Sequence, residues 1–146
     1  LYFLESIHNP VMLDTGILCI QASSYTNYEI ESSLVQSLTK DLSEISLDGI
    51  ALIVISDDSA FNAANWENFL WVTFTRSNPA QDIYGVHAST HNKHWGCSGP
   101  LIIDARKKPH HAPELSTDKS VTQKVDKLFA KGGALLGLNK KSNPSY

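Results

Sequence analysis

The residues Ile50-Ala51-Leu52-Ile53-Val54-Ile55 decide the fold, because they form the strongest strand pattern in the chain. The run is apolar throughout and rich in β-branched residues, which is typical of a central parallel strand covered on both faces. A second apolar run at residues 16–22 precedes it, and the amphipathic segment between the two predicts a helix. This strand–helix–strand order indicates a parallel pair joined by a helical crossover.

The predicted first helix begins after Asn27, a residue type that caps helix N-termini. Its apolar positions recur every three or four residues, so we expect them to face the sheet. These positions are Ile30, Leu34, Leu38, Leu42 and Ile45. The solvent face is expected to carry Glu29, Glu31, Lys40, Asp41 and Glu44.

Further elements are predicted downstream. Residues 65–75 indicate an almost wholly apolar helix, which we expect to be buried on most sides by its own domain or by a partner. Strands are expected at 83–86 and 101–105, with an aperiodic loop at 88–99 between them. The last helix is expected to begin at Thr117 or Asp118 and to stop at Gly132. The order predicts an α/β fold, specifically a layered α/β/α sandwich with a mainly parallel sheet. A single domain would span residues 1–138, followed by a flexible tail at 139–146.

Composition restricts the classes of function. The 146 residues are 42% hydrophobic, and 12 Lys and Arg stand against 15 Asp and Glu, a net charge of −3. That balance argues against nucleic-acid binding through phosphate neutralisation. No apolar run reaches the roughly 18 residues of a transmembrane helix, and no secretory leader opens the sequence. Two cysteines, Cys19 and Cys97, are too few for a disulfide framework and favour a cytoplasmic protein.

Charge is distributed unevenly along the chain. Residues 1–103 hold three basic and eleven acidic residues, a net charge of −8, and residues 104–146 hold nine basic and four acidic, a net charge of +5. One interpretation is an ordinary solvent-exposed surface that carries both negative and positive side chains. The other is a basic C-terminal segment that docks on an acidic body, its own or a neighbour's. The start at Leu1 rather than Met leaves open a trimmed protein or a domain cut from a longer one.

His87, His91, His94 and Cys97 form the pattern H-x3-H-x2-H-x2-C. Imidazole and thiolate are ligands that zinc prefers, and four of them would close a tetrahedral structural site. The pattern leaves open a free-standing metal-binding α/β module. The spacing matches no standard zinc finger, however, and ordinary loop histidines are the simpler interpretation.

Asp57 and Asp58 follow the strongest strand, at the edge where open α/β sheets place their ligand crevice. Paired carboxylates there suit Mg²⁺ with a phosphate ligand, or one of them caps the next helix. No G-x-G-x-x-G, Walker or G-x-S-x-G pattern accompanies them. By themselves these motifs leave the function open.

The segment Trp66-Glu67-Asn68-Phe69-Leu70-Trp71-Val72-Thr73-Phe74-Thr75-Arg76-Ser77-Asn78-Pro79-Ala80-Gln81-Asp82 carries a more specific signal. With the residues before it, it resembles the C-terminal domain of UbiD-type decarboxylases, the 3-polyprenyl-4-hydroxybenzoate carboxy-lyase family. The positions that match the family pattern are Asp57, Asp58, Asn62, Trp66, Trp71, Thr75, Arg76, Pro79, Ala80 and Asp82. Ile103-Asp104-Ala105 followed by Lys107 and Lys108 resembles the family's I/L-D-A-T-x-K stretch, with Arg106 in place of the threonine. The resemblance covers about residues 7–136.

The resemblance implies a lyase that removes CO₂ from an aromatic or α,β-unsaturated acid, such as a 4-hydroxybenzoate derivative, in quinone biosynthesis or aromatic catabolism. It implies prenylated FMN with a divalent metal (Mn or Mg) and K, bound in a preceding flavin-binding split-barrel domain. No catalytic or cofactor-binding residue of the family then falls in this chain, and the fragment alone is expected to be inactive. The implied partners are that upstream domain, further copies in a homo-oligomer, and a flavin prenyltransferase that supplies the cofactor.

The matching residues are expected to be structural rather than catalytic. Arg76 is placed at a helix C-terminus, where a cation is favoured, and it is expected to pair with Asp82 or Asp104. Thr75 can satisfy a terminal carbonyl group, and Pro79 prevents the helix from continuing. We therefore expect a structural and oligomerisation domain, with the basic segment after Asp104 supplying part of the contacts.

Overall fold

A computed structural model of the chain describes residues 7–112 and 118–138. Its elements, in chain order, are β1 (Ile7–Asp14), β2 (Ile17–Ala22), α1 (Tyr28–Ser43), β3 (Leu52–Ser56), α2 (Ser59–Asn62), α3 (Trp66–Arg76), β4 (Ile83–Gly85), β5 (Ala88–His91), β6 (His94–Cys97), β7 (Leu101–Asp104) and α4 (Lys119–Phe129). The α/β class is confirmed.

The main sheet has five strands in the order β1-β2-β3-β7-β4. The central strands β2, β3 and β7 are parallel, and Ile53 of β3 lies between Leu18 and Ile102. Strands β1 and β4 are added at the two edges in antiparallel orientation. The sheet is therefore mixed, and the expectation of mainly parallel strands holds for its centre only.

Strand β1 has no counterpart among the predicted elements. It contains Pro10 and a bulge between His8 and Val11, and these features interrupt the alternation that would mark a strand. They are tolerated because β1 is an edge strand, where a proline breaks no central ladder. A tight turn at Gly16, with a φ of 84°, joins β1 to β2. So short a connection gives an antiparallel pair, which is why the sheet is mixed.

The central strands lie between two helical layers. On one face, Ile53 and Ile55 pack in an apolar cluster with residues of α1. On the other face, Val54 packs in a second cluster with Phe69 of α3. Because successive strand residues point to opposite faces, a strand covered on both sides needs an uninterrupted apolar run. The sequence 50–55 meets that requirement.

The chain divides into two compact units, each described by itself. The first, Leu1–His111, contains the sheet, the β5–β6 hairpin and helices α1 to α3; the second, Ala112–Tyr146, contains α4. Asp118, one of the two predicted caps, begins α4, and its carboxylate accepts a hydrogen bond from the Ser120 N–H at 2.7 Å. The assignment of residues 1–138 to one domain stays a prediction, and the tail at 139–146 lies outside the described residues. No helix within the described ranges is long and apolar enough to cross a membrane.

The buried face of helix α1 differs from the predicted one. Asn27 caps it as expected, accepting a hydrogen bond from the Ile30 N–H at 3.0 Å. The buried stripe consists of Glu31, Val35, Leu38 and Leu42. Ile30 is 53% exposed, and Ile45 lies beyond the end of the helix. The prediction that Glu31 faces solvent is wrong, because a buried cation pairs with it, as described below.

Helix α3 is present as predicted but is not buried on most sides within its unit. Phe69, Val72 and Thr73 face the sheet. The opposite side leaves four large apolar residues exposed to between 42% and 66%, namely Trp66, Leu70, Trp71 and Phe74. We call this set the α3 face.

Residues 88–97, predicted to be a loop, form a two-stranded antiparallel hairpin. Asn92 and Lys93 make its turn with positive φ values of 49° and 66°. Positive φ at both central positions is characteristic of a type I′ turn, which usually shows glycine in the sequence. Here Lys93 occupies the position where glycine is usual, and the two polar strands show no apolar alternation. The sequence therefore gives no signal for the hairpin.

Candidate functional site

The carboxyl ends of β3 and β7 form the edge where α/β sheets commonly bind ligands. This chain fills that edge with five buried charged residues, each 5% exposed or less: Glu31, Asp82, Asp104, Arg106 and Lys108. We call them the ionic cluster. Asp104 ends β7, and Arg106 and Lys108 follow it within four residues, so β7 and the segment after it deliver three of the five charges.

Arg106 is the centre of the ionic cluster. Its Nε and Nη2 donate to the two carboxylate oxygens of Asp104 at 2.9 and 2.7 Å. Its Nη1 lies 2.8 Å from Oε2 of Glu31 and donates to the Ser23 carbonyl oxygen at 2.9 Å. Burial alone lowers the pKa of the guanidinium, but the hydrogen bonds and the negative charges of Asp104 and Glu31 outweigh it and raise the pKa. Arg106 is therefore held as a cation between two carboxylates.

Glu31 is placed for this role by the start of α1. Its Oε1 accepts hydrogen bonds from the Thr26 N–H at 3.0 Å and from the Thr26 hydroxyl at 2.8 Å. A glutamate in the first turn that reaches back to the residues before the helix resembles a capping box. The same side chain thus fixes the N-terminus of α1 and faces Arg106.

Lys108 joins the other end of the cluster. Its Nζ lies 3.2 Å from Oδ2 of Asp82 and donates to the carbonyl oxygens of Asp104 and Arg76 at 2.6 and 3.0 Å. The Tyr25 ring centroid is 5.4 Å from the Lys108 ammonium and 5.4 Å from the Arg106 guanidinium, within cation–π range. Burial, followed by the negative charges of Asp82 and Asp104, raises the pKa of Tyr25.

Among the described residues, the space beside the cluster is small. A hollow of about 20 Å³, lined by Ser23, Leu34, Ile55 and Arg106 among others, lies beside it. That volume suits about one water molecule, and drug-sized ligands need several hundred Å³. The positive groups are engaged by carboxylates and carbonyl oxygens of the same unit. The arrangement can hold the segment after β7 against the sheet and α1.

Asp57 and Asp58 do not form a paired-carboxylate site. Oδ2 of Asp57 accepts from Arg76 Nη1 at 3.0 Å and from the Lys107 N–H at 2.8 Å. Asp58 instead caps α2, accepting from the Phe61 N–H at 2.9 Å. The prediction that Arg76 pairs with Asp82 or Asp104 is wrong: those carboxylates are held by Lys108 and Arg106, and Asp57 is the partner within reach of the α3 C-terminus.

The other residues that match the family pattern lie on helices α2 and α3 and in the turn after α3. The Thr75 hydroxyl donates to the Trp71 carbonyl oxygen at 2.6 Å, and the Arg76 guanidinium lies 5.1 Å from the Trp71 ring centroid. Trp66 packs edge-to-face with Phe69 at 5.7 Å. Asn62 is fully buried, whereas Pro79 and Ala80 lie exposed in the turn after α3. That these residues act structurally in a larger enzyme stays a prediction.

The structure does not bring the proposed zinc ligands together. His91 and His94 are cross-strand partners next to the hairpin turn, while Cys97 pairs with Ala88 at the other end. Residues three apart in a strand point to opposite faces, so His94 and Cys97 diverge. Cys97 packs instead on Gly85, where an added Cβ would be 2.8 Å from its sulfur. Within residues 7–112 and 118–138, no three His, Cys, Asp or Glu side chains are grouped to hold a metal ion.

The sequence did not indicate the role of Glu31 in the ionic cluster, nor the position of Tyr25 beside it. Glu31 has the spacing of a solvent-facing helical residue, and Tyr25 precedes the helix without any motif. The one signal in the sequence that points to a buried ionic contact is Arg106, which stands where the family pattern has threonine. A buried arginine at the end of an apolar strand requires carboxylate partners, so the departure could have prompted a search for them.

Comparisons with known proteins agree with the pattern in the sequence. The chain is 34% identical over 103 residues to a protein of Chlamydia pneumoniae that is named as one of the subunits of 4-hydroxybenzoate decarboxylase, a match that covers 68% of this chain and 17% of that protein. It is 32% identical over 106 residues to an uncharacterized protein of Chlamydia muridarum, covering 69% of this chain and 18% of that protein. The chain thus spans less than a fifth of the length of these relatives. No protein-family profile matches it.

Two solved structures resemble the chain at lower identity. One is the UbiD-class enzyme HmfF from Pelotomaculum thermopropionicum in complex with prFMN, with a TM-score of 0.49, 13% identity, and coverage of 84% of this chain and 26% of that chain. The other is the vanillic acid decarboxylase ShVdcCD of Sedimentibacter hydroxybenzoicus in open form, with a TM-score of 0.43, 14% identity, and coverage of 76% and 26%. By its sequence matches, the chain has partial homology to UbiD-class decarboxylases.

Proposed function

We propose that this chain, which is homologous to one part of the UbiD-class decarboxylases, is the C-terminal structural and oligomerisation domain of such an enzyme. The parent enzyme would be a carboxy-lyase that depends on prenylated FMN. Its substrate would be an aromatic or α,β-unsaturated carboxylic acid, such as a 4-hydroxybenzoate derivative. The chain itself would contribute no catalytic residue.

The observation that carries this proposal is the closed ionic cluster. A ligand-binding α/β domain keeps its polar groups at the sheet edge available to the ligand. Here the two buried cations face three carboxylates of the same unit, and the hollow beside them is the size of a water molecule. The edge therefore supports a role in holding the fold together rather than in binding a reactant.

The described residues do not fit prenylated FMN. A flavin needs a cavity of several hundred Å³ and free donors for its phosphate, whereas the hollow at the sheet edge measures about 20 Å³ and Arg106 is already engaged. We place the cofactor, its Mn or Mg ion and K in the upstream flavin-binding domain of the parent enzyme, with a flavin prenyltransferase as the supplier of the cofactor. Because Cys19 and Cys97 are both free thiols, a cytoplasmic location suits the parent enzyme.

The flavin content of the purified chain tests this proposal. The chain is produced together with a flavin prenyltransferase, and its absorbance spectrum is recorded after desalting. We expect no flavin absorbance from the chain, and stoichiometric absorbance from the full-length parent protein prepared in the same way. Retention of one flavin per chain would refute the assignment of a cofactor-free domain.

A further inference from the structure

Three buried side chains on the side of the sheet that α2 and α3 cover have polar atoms without a hydrogen-bond partner among the described residues. They are Ser56 at the end of β3, Asn62 on α2 and Thr73 on α3. Ser56 is 1% exposed, and the other two are fully buried. The atoms are the two hydroxyl oxygens and both polar atoms of the Asn62 amide. Because buried polar groups in native proteins are nearly always hydrogen-bonded, these atoms require a partner.

Asn62 lies where α2 meets α3. The carbonyl oxygen of Phe61, its neighbour in the chain, accepts a hydrogen bond from Asn68 Nδ2 at 3.0 Å. Phe61 packs against the apolar cluster that α3 forms with the sheet, and α2 also contacts β1, β2 and β3. Since Asn62 is fully buried, its amide is enclosed among these elements and has no access to bulk water.

Ser56 and Thr73 approach the same layer from the sheet and from α3. Ser56 comes two residues after Val54, whose side chain faces α3, so both point to the same side of the sheet. Thr73 is on the face of α3 that is turned towards the sheet. The ion pair between Arg76 and Asp57, at 3.0 Å, ties the last turn of α3 to the residue that follows Ser56. Thr73 therefore lies along α3 between this contact and the one at α2.

We propose that this layer is a binding site for a buried water molecule, which bonds to the Asn62 amide and to the Ser56 and Thr73 hydroxyls. Buried waters make about three hydrogen bonds each, and these side chains offer enough donors and acceptors. Water donates to the amide oxygen and accepts from the amide nitrogen, and a hydroxyl group can take either role. All three side chains are neutral, which disfavours a metal ion or an anion as the occupant.

The site gives Asn62, one of the residues that match the family pattern, a specific role. Through the water it links α2 to β3 and to α3, in a layer where direct side-chain contacts leave these polar atoms unpaired. The inference goes beyond the proposed function, because it concerns the interior of the chain rather than its place in a larger enzyme.

Water–protein cross-relaxation, measured by NMR on the isotope-labelled complete chain, tests the site directly. We expect the side-chain amide protons of Asn62, identified by their loss in Asn62→Leu, to show a cross-peak at the water frequency with the sign of a long-lived bound water. The matched control is the exposed Asn92 of the hairpin turn, whose side chain should show no such cross-peak. An Asn62 amide with cross-peaks to protein protons alone would overturn the proposal.

Replacing Thr73 by valine gives an independent test, because valine keeps the shape of threonine and lacks the hydroxyl. If water binds Thr73, the variant leaves that water one partner short, and the urea midpoint should fall by about 0.5 M. In a dry layer, valine would remove an unpaired polar group and the midpoint would not fall. The matched control is Thr90→Val on the exposed strand β5, which should change the midpoint by about 0.2 M or less.

An unchanged or raised midpoint for Thr73→Val would contradict the proposal. Neither experiment involves flavin or the parent enzyme, so the water site and the proposed function are separately falsifiable.

Discussion

Replacing Arg106 by methionine should cause the largest loss of stability available from a single substitution in the ionic cluster. Arg106 faces Asp104 through two hydrogen bonds and Glu31 through a contact of 2.8 Å. Both carboxylates are 2% exposed. Methionine fills a similar volume, so the change removes the positive charge and the donors with little change in packing.

The expected cost follows from the charges left behind. The cluster holds three carboxylates and two cations, and the variant leaves three carboxylates with Lys108 alone. Removing one partner of a buried ion pair costs about 3–5 kcal/mol, since the other charge stays desolvated without compensation. Two carboxylates lose their partner here, so we expect about 4–5 kcal/mol, a large share of the 5–15 kcal/mol that stabilises a typical domain.

Urea denaturation followed by tryptophan fluorescence measures this loss. The three tryptophans all lie in the sheet-containing unit, so the signal reports that unit. We expect the midpoint to fall by about 2–3 M urea. Recording the curves at two protein concentrations keeps association out of the comparison.

The matched control is Lys40→Met, which removes an exposed cation from the last turn of α1. We expect a change of about 0.5 kcal/mol or less. If Arg106→Met loses no more stability than this control, the ionic cluster does not hold the fold together at the sheet edge.

Three further predictions concern other parts of the chain. Gly85→Ala should destabilise the sheet-containing unit by about 1–3 kcal/mol in urea denaturation, because the added Cβ would lie 2.5 Å from Cβ of Cys97. Gly96→Ala, with open space around it, should be neutral in the same assay. Burial, followed by nearby positive charges, lowers the pKa of His111, whose Nδ1 accepts from the Lys108 N–H at 3.1 Å. Because the folded pKa lies below the unfolded value of 6.5, stability should fall as the pH drops below 6.5, and urea midpoints from pH 7.5 to 5 should show a smaller fall for His111→Gln. Titration calorimetry with Zn²⁺ should show no stoichiometric tetrahedral site at the histidine-rich hairpin, and one equivalent bound with nanomolar affinity would contradict the strand geometry.

The sequence predicted those elements whose residues follow one local rule. The apolar run at 50–55, the Asn27 cap and the apolar helix at 65–75 each depend on neighbours in the chain, and each is present. Strand β1 could not be recognised because Pro10 and a bulge interrupt its alternation, which only its place at the sheet edge permits. The hairpin at residues 88–97 was not predicted for a related reason: Lys93 occupies a turn position where glycine is the usual signal.

The ionic cluster could not be predicted because its members are far apart in the sequence. Glu31 and Arg106 are on different elements, and no periodicity links them. Periodicity instead favoured a stripe through Ile30 and Leu34, whereas the buried stripe runs through Glu31 and Val35 and shares only its later members with the prediction. A charged residue breaks an apolar pattern even when a distant partner makes its burial favourable.

CO₂ release tests the central claim most directly. That claim is that the chain is a structural part of a decarboxylase and contributes no catalytic residue. The assay compares three proteins: the full-length parent protein, the parent protein from which this chain has been removed, and this chain alone. All three are produced with a flavin prenyltransferase and supplied with a 4-hydroxybenzoate-type acid. We expect CO₂ release from the full-length protein, a reduced rate from the truncated protein, and none from the chain alone. Turnover by the chain alone would contradict the account.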